Sequence, residues 1–416
     1  MIQLLRNFRF VILLLATFTS SIGTGITSIT LPWYIIEQRG DKMLGLMMII
    51  VTIVLFVLSP MIGAIVDRFS RKRVLITTQL FCGGIIGCFT LLGIYRASFS
   101  TFDLTAISLA GSLYFTLHIP TFNALVQELF DHSAYKKVNT AFEMLNQIDP
   151  IIAGALANFV LMKQDLSFIL VLDVLSYLLS AVLIALLPYK SRQQEKTDQL
   201  KPAGWLHAMA EGLIYLRVRP RMFLFFFFSH MTFLIVMVGN FLIPVYIIKE
   251  LLQPGSFFGV YNAVYAIGAV ACGFIVVRLI NRIGGFAALI GMMAVFTASL
   301  TGIFLLQQPG LFLLCSLFTG FSNAGAKIIR NTMMMNTIDS SYIGRVSSFY
   351  STLGLLLRLL LLISFTTLVD QSGTLPLLGF VAVLSLISLT ALIWIRHSSP
   401  LQEFLTSEPA VSEAKM

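Results

Sequence analysis

Residues 63–73 read GAIVDRFSRKR and join two long apolar runs, 43–66 and 73–96. Each run exceeds the ~18 residues that a helix needs to cross a ~30 Å hydrocarbon core. Because the polar segment between them is so short, the two helices must be antiparallel neighbours. Gly63 lets neighbouring helices approach closely, and Asp67 lies where a helix end can be capped or paired. The stretch therefore predicts two transmembrane helices that are joined by a basic turn.

The composition of the whole chain is that of a membrane protein. Of its 416 residues, 57% are hydrophobic and only 11% are charged, with a mean hydropathy of +0.89. A soluble domain carries about 25% charged residues, so lipid must cover much of this surface. The net charge of +9 lies mostly in short segments between apolar runs, which favours the positive-inside rule over a nucleic-acid partner.

Similar apolar runs recur along the chain and predict about twelve transmembrane helices. Most connections are a few residues long, so consecutive helices are expected to be antiparallel neighbours. The predicted fold is an all-α membrane protein with two pseudo-symmetric six-helix bundles. The predicted spans are 9–36, 43–66, 73–96, 102–129, 137–162, 166–188, 221–248, 256–280, 285–307, 309–337, 341–369 and 374–396.

The two halves of the chain resemble each other in sequence. NALVQELFDHSAYKKVNTAF from Asn123 aligns with NTMMMNTIDSSYIGRVSSFY from Asn331, a shift of 331 − 123 = 208 residues, which is half of 416. Val138 then meets Val346. A duplicated six-helix unit predicts this similarity at the junctions of spans 4 and 5 and of spans 10 and 11.

A longer polar segment separates the halves. The predicted organisation is an N-terminal six-helix bundle, a cytoplasmic linker, a C-terminal six-helix bundle and a cytoplasmic tail, over residues 1–188, 189–220, 221–396 and 397–416. Within the linker, apolar residues share one helical face and predict an amphipathic helix at the membrane surface. These residues are Leu206, Met209, Leu213 and Leu216.

The distribution of basic residues predicts the orientation. With the N-terminus inside, the inner segments hold twenty Lys and Arg residues and the outer segments hold five, Arg39, Lys42, Arg96, Lys163 and Lys249. The positive-inside rule then places both termini in the cytoplasm. We expect a multi-pass monomer in the bacterial inner membrane.

The stretch from Gly63 to Arg73 resembles the major facilitator signature GxxxDRxGRK/RK/R at its usual place between helices 2 and 3, with Ser70 in place of a Gly. The second half holds a partial copy, INRIG from Ile280, with Asn281 in place of the acid. The resemblance implies a gating motif that latches the two halves together on the cytoplasmic side. Its residues here are Gly63, Asp67, Arg68, Arg71, Lys72 and Arg73.

Within the superfamily, the chain is similar to the branch of macrolide-efflux proteins and enterobactin exporters. The resemblance rests on PxxxALxxEL from Pro120, KVN from Lys137, EGLxYL from Glu211 and GRV from Gly344. Lysophospholipid transporters share similar patterns around spans 4 and 5. Drug antiporters of the family carry Gly-Pro-x-x-Gly in helix 5, whereas this chain reads DPIIAG from Asp149.

Ionisable residues within the spans are the candidate site residues, because each costs roughly 3 kcal/mol at the membrane centre. We expect Asp149, with Glu143 and Asp173 as further candidates, to carry a coupling proton. Lys327, Arg330 and Arg358 are expected to bind substrate and to favour a cargo with an acidic group. Alternatively, these acids and cations form ion pairs that only hold the bundle together.

Other polar or aromatic residues within the spans are interpreted as structural. His118 and His230 have no metal-ligand company, and the phenylalanines that open span 7 are expected to pack against lipid and neighbouring helices. The four cysteines lack metal or disulfide spacing. We therefore expect no metal and no cofactor.

The sequence predicts a secondary-active exporter of a small amphipathic molecule, a drug-like compound or a siderophore, driven by proton antiport. No GxxxxGK[ST] loop and no nucleophile constellation occurs, so neither direct ATP use nor an enzyme is expected. One alternative is uptake of a siderophore or metabolite, or lysophospholipid transport, on the same fold. Another is a membrane sensor or assembly protein that transports nothing.

Overall fold

A computed structural model describes residues 7–130, 138, 142, 148–149, 151–157, 165–189, 205–338 and 342–398. Of residues 59–61, 63–64, 66–68, 205–210 and 398, only the backbone is described. Glu143, Pro150 and the predicted tail beyond 398 lie outside the described residues.

Every regular element in these residues is a helix. The helices are α1 (Phe8–Arg39), α2 (Asp41–Arg68), α3 (Arg71–Tyr95), α4 (Thr101–Leu129), α5 (151–157), α6 (Leu166–Ala185), α7 (Trp205–Arg217), α8 (Pro220–Lys249), α9 (Gly255–Ile283), α10 (Gly285–Leu306), α11 (Pro309–Thr337), α12 (Ile343–Ser372) and α13 (Leu375–Ser398). Within the described ranges, eleven helices are long and apolar enough to cross a membrane. The predicted fold class is confirmed, and the fifth predicted span lies mostly on residues that are not described.

The helix ends follow local sequence signals. At the start of α4 the Ser100 hydroxyl accepts a hydrogen bond of 3.2 Å from the Asp103 amide, and the Asp103 carboxylate accepts one of 2.8 Å from the Ser100 amide. This capping box satisfies two of the amides that a helix leaves unpaired at its start. Short polar turns thus separate the apolar segments into individual helices.

The two helix groups, α1–α6 and α8–α13, have the same internal arrangement. In the first group α1 packs on α6, α3 on α4 and α6, and α2 on α4. In the second group α8 packs on α13, α10 on α11 and α13, and α9 on α11. The repeat partners Val138 and Val346 are both completely buried. The structure therefore confirms two pseudo-symmetric bundles.

The two groups meet at one end of the molecule, which we call the joined end. There one continuous cluster of buried apolar side chains includes Ile29 of α1, Phe258 of α9 and Val369 of α12. Helix α2 packs along α12, and α1 contacts α8 and α9. The indole of Trp33 lies directly against Gly255. Apolar packing at this end therefore spans both groups.

At the opposite end each group has its own apolar cluster. One belongs to the first group and includes Phe10, Phe122 and Leu187. The other belongs to the second group and α7, and includes Phe226 and Val346. The core of the described chain is thus shared at one end and divided at the other.

Helix α7 lies on the second group. It contacts α8 and α12, and Leu216 is completely buried while Leu213 is 45% exposed. The sequence placed these two leucines on one apolar face, but the buried side of the helix is formed by Gly212, Tyr215 and Leu216. The reason is that α7 packs against α12 through this side and leaves Leu213 on the outside.

Candidate functional site

The basic residues after α2 connect the start of α3 to the ends of α4 and α6. Arg71 Nε lies 3.4 Å from Glu128 Oε1 at the end of α4. Lys72 Nζ donates hydrogen bonds of 2.7 Å to the carbonyl oxygens of Ala185 and Leu187 at the end of α6, where a cation is favoured by the helix dipole.

The remaining residues of the predicted gating motif are placed as follows. Arg73 is exposed. Gly63, Asp67 and Arg68 belong to α2, and their side chains lie outside the described part of the structure. The gating role of the motif therefore stays a prediction.

Asp149 is a buried carboxylate. Its residue is 5% exposed, and neither carboxylate oxygen has a hydrogen-bond partner among the described residues. Ser21 of α1 is its polar neighbour, but the Ser21 hydroxyl donates to the Thr17 carbonyl of its own helix. A buried charge without a partner is costly, and the role of Asp149 in proton coupling stays a prediction.

Asp173 lies inside the first helix group, between α1 and α6. It is completely buried, and its Oδ1 accepts a hydrogen bond of 3.4 Å from the Thr24 hydroxyl. The same hydroxyl lies 2.9 Å from the Tyr177 hydroxyl. Tyr114 stacks edge-on against Tyr177, with ring centroids 4.8 Å apart. Sequence reasoning did not find this cluster, because its members come from three different helices, α1, α4 and α6.

Arg330 of α11 is a buried cation in the second group. It is 4% exposed, and its Nη1 donates a hydrogen bond of 3.0 Å to the Ser229 carbonyl of α8. Its Nε has no acceptor in the described residues, and neither has Nε of Arg358 on α12. Because charge-assisted hydrogen bonds are the natural partners of a guanidinium, both side chains retain the capacity to bind an anionic group.

Lys327 does not share the surroundings of Arg330, although the two are three residues apart on α11. Lys327 is exposed, whereas Arg330 is buried. The two cations thus differ in burial, and the substrate-binding role of Lys327, Arg330 and Arg358 stays a prediction.

His230 and Tyr350 stack beside Arg330. Their rings are parallel within 10°, with centroids 4.9 Å apart, and His230 Nδ1 lies 2.7 Å from the Phe226 carbonyl. Tyr350 donates a hydrogen bond of 2.9 Å to the Phe223 carbonyl. This cluster joins α8 to α12, and sequence reasoning missed it because it treated His230 and the phenylalanines separately.

The sequence repeat could have pointed to this cluster. At the shift of 208 residues, Arg330 corresponds to Phe122 and Tyr350 to Phe142. Phe122 stacks with His118 and contacts Phe142 edge-on. The second group thus places a cation where the first group places an aromatic ring.

His118 is buried among aromatic rings. Its ring lies 4.9 Å from that of Tyr114, and both of its nitrogens lack a hydrogen-bond partner within the described chain. Across the same residues, no group of three or more His, Cys, Asp or Glu side chains is placed to hold a metal ion. His118 is thus placed by stacking.

The arrangement defines a class of protein, the helical transporters with two related bundles. Residues 13–361 match the sequence profile of the Major Facilitator Superfamily. The chain belongs to this superfamily, as predicted, and is a multi-pass membrane transporter and not an enzyme.

Individual proteins resemble the chain more distantly. Macrolide efflux protein A of Streptococcus pyogenes is 23% identical over 335 residues, which cover 79% of this chain and 81% of that protein. A bacterial homologue of the iron transporter ferroportin in its inward-facing state has a TM-score of 0.74 at 17% identity, over 93% of this chain and 98% of that one. The nucleoside transporter NupG has a TM-score of 0.71 at 13% identity, over 94% of this chain and 99% of that one. These structures share the fold.

Proposed function

We propose that this chain is a secondary-active exporter of a small amphipathic organic molecule, and that it works by alternating access. The observation that carries the proposal is the divided core, which is shared by both groups at the joined end and split at the opposite end. Transporters built from two related bundles expose a midplane site by rocking one bundle against the other. The similarity to macrolide efflux protein A supports the export of a drug-like molecule.

The orientation follows from the basic residues. The sequence assigns twenty Lys and Arg residues to the inner segments and five to the outer segments. Among the described residues, Arg71 and Arg345 of the inner set lie at the divided end, and Lys249 of the outer set lies at the joined end. The positive-inside rule then places the divided end and both termini in the cytoplasm of a bacterium. In this orientation the structure is the inward-facing state, which takes up cargo from the cytoplasm, and we expect the monomer to be the working unit.

Proton antiport supplies the energy in this proposal. Asp149 is the first candidate for the proton carrier because its carboxylate is buried without a partner among the described residues. Asp173 is the second candidate, although Thr24 already occupies one of its oxygens, and Glu143 remains the third. Neutralisation of such a carboxyl group on protonation removes the cost of burying its charge.

The cargo is proposed to carry an acidic group. Arg330 and Arg358 have no ion-pair partner within the described residues, and an anionic group of the cargo would compensate their buried charge. These arginines favour a siderophore with carboxylate groups, whereas a macrolide, which has a basic amine and no carboxyl group, is favoured by the similarity to macrolide efflux protein A alone.

Transport into inverted membrane vesicles tests the proposal. We expect vesicles that contain the chain to accumulate a macrolide antibiotic or a carboxylate siderophore when their lumen is acidified, and an uncoupler to abolish the accumulation. Vesicles without the chain are the control. Accumulation of the same compound only in right-side-out vesicles would contradict export and favour the uptake alternative. If neither cargo accumulates in either kind of vesicle, the sensor alternative is favoured.

A further inference from the structure

Helix α11 carries a polar arc in the middle of a membrane span. Asn323, Lys327 and Asn331 follow one another at intervals of four residues, so their side chains share one side of the helix. Lys327 and Asn331 are exposed, and Asn323 Nδ2 donates a hydrogen bond of 2.8 Å to the Tyr265 hydroxyl of α9. Lys327 lies only ~6 Å along the helix axis from the midpoint of α11. Because a charge at this depth is costly against lipid, the arc favours a water-filled space.

The sequence repeat gives this arc a counterpart on α4. At the shift of 208 residues, Lys327 corresponds to Ile119 and Asn323 to Phe115. Ile119 is 56% exposed and Phe115 is 40% exposed, so the corresponding side of α4 is uncovered as well. The two helices therefore leave the same positions open but place polar residues on α11 and apolar residues on α4.

The symmetry of the fold relates the directions in which these positions face. The two halves of such transporters are related by an axis along the membrane normal. This axis brings repeat-related residues to the same depth, and both members of a pair face the axis or both face away from it. One turn nearer the divided end, the repeat places the same exposed residue on both helices, Asn123 and Asn331. A lysine that avoids lipid faces the axis, so Ile119 lies across the cleft from Lys327.

We propose that the cargo binds between two opposed walls, the α11 wall of Asn323 and Lys327 and the α4 wall of Phe115 and Ile119. The acidic group of the cargo lies on the α11 wall, where Lys327 has no ion pair within the described residues. Its apolar body lies on the α4 wall, which removes apolar surface from water. Lys327 is exposed and Arg330 is buried, so an entering cargo contacts Lys327 first. This assignment rests on the proposed export function.

Thiol labelling tests where the walls face, without any cargo. Ile119→Cys and Lys327→Cys are made separately in a cysteine-free background and studied in inverted vesicles, which present the cytoplasmic side. Phe318→Cys is the control, because Phe318 is 45% exposed and lies nine residues before Lys327, on the opposite side of α11. We expect the membrane-impermeant reagent MTSET to modify both wall positions at least about tenfold faster than the control, because the reactive thiolate forms in water and not in lipid. Equal rates at all three positions would overturn the proposal.

Two matched probes test the orientation of the cargo, a carboxylate siderophore and its uncharged methyl ester. Lys327→Gln removes the charge, so accumulation of the carboxylate at low concentration should fall about tenfold and that of the ester should change little. Ile119→Asn should lower accumulation of both probes about tenfold, since both lose apolar contact. Arg278→Gln, at an exposed position on α9, is the charge control. The proposal is overturned if Lys327→Gln affects both probes alike or neither, or if Ile119→Asn affects neither.

Exchange of the two facing residues separates cargo contact from a structural role of Lys327. Ile119→Lys with Lys327→Ile moves the cation to the opposite wall, and it should recover part of the carboxylate accumulation that Lys327→Ile alone loses. No recovery would overturn the opposed walls while export stands, and so would accumulation of a macrolide but of neither siderophore probe. If the unsubstituted chain accumulates none of these compounds, the proposed function fails and the assignment with it. Ile119→Ala, with a smaller expected loss of both probes, tests the α4 wall should Ile119→Asn not fold.

Discussion

Lys249 Nζ at the end of α8 lies 2.8 Å from Asp41 Oδ2 at the start of α2, and this ion pair joins the two helix groups at the joined end. The Asp41 side chain is 6% exposed and that of Lys249 is 48% exposed. The pair therefore stands at the rim of the apolar contact. A half-exposed ion pair contributes up to about 1 kcal/mol, which suits a contact that forms and breaks in the proposed alternating-access cycle.

Reversal of one charge of this pair should favour opening of the joined end. In Lys249→Glu two carboxylates face each other, and we expect the ratio of open to joined molecules to rise up to about fivefold, the equivalent of about 1 kcal/mol. Distances between spin labels at the exposed positions 37 and 252, in a cysteine-free background, measure this ratio. The exchanged pair, Asp41→Lys with Lys249→Asp, should restore the original distribution. An unchanged distribution in Lys249→Glu would show that the pair does not stabilise the joined end.

A larger side chain in place of Gly154 should keep the two helix groups apart. A Cβ atom there would lie 2.8 Å from the Gly259 carbonyl oxygen and 3.0 Å from the Ala263 nitrogen of α9, and backbone atoms cannot yield. We expect Gly154→Val to shift the label distances towards the open form and to lower transport by about 5- to 150-fold, since repacking costs about 1–3 kcal/mol. Gly84→Val is the matched control, because nothing lies within 4 Å of its Cβ position. Equal effects of both variants would contradict a specific contact.

Loss of the Asp149 charge should separate proton coupling from cargo movement. In Asp149→Asn no proton can be taken up or released at this buried position, so transport driven by a pH gradient should fall to the background. Exchange of labelled for unlabelled cargo needs no net proton transfer and should persist. Asp370→Asn, an exposed position on α12, serves as the control. If Asp149→Asn still responds to the gradient, another group carries the proton, and Asp173→Asn becomes the next variant.

Removal of the Arg330 guanidinium should discriminate between cargoes by charge. Arg330→Gln is expected to weaken binding of a carboxylate cargo by about 10- to 100-fold, since a hydrogen bond to a charged group contributes about 1.5–3 kcal/mol, and to change binding of a neutral analogue little. Arg278→Gln is the control on α9. Because Arg330 also binds the Ser229 carbonyl, thermal unfolding is measured alongside. Equal losses for both cargoes would indicate a structural role.

The spans were predictable from the sequence because a run of ~18 apolar residues is an unambiguous signal. The structure extends several of them, as for α8, which ends at Lys249. The repeat at a shift of 208 residues aligned Val138 with Val346, and the structure buries both completely. Local patterns thus determined the elements and their duplication.

The contacts between distant residues were not predictable in this way. EGLxYL from Glu211 and GRV from Gly344 were noted as separate motifs, yet Glu211 and Arg345 form one ion pair. Likewise, the stack of His230 on Tyr350 depends on how α8 meets α12. The hydrophobic periodicity shows on which face of its own helix a residue lies, but it does not show which other helix packs against that face.

The apolar cluster at the joined end has a thermal consequence. In the proposed alternating-access cycle the two groups separate there. Side chains such as Ile29, Phe258 and Val369 then lose their mutual cover, and those that line the aqueous cavity are hydrated. Hydration of apolar surface raises the heat capacity and weakens apolar association on cooling. The free-energy difference between the two forms should therefore depend nonlinearly on temperature. The form captured at low temperature need not be the one that predominates during growth.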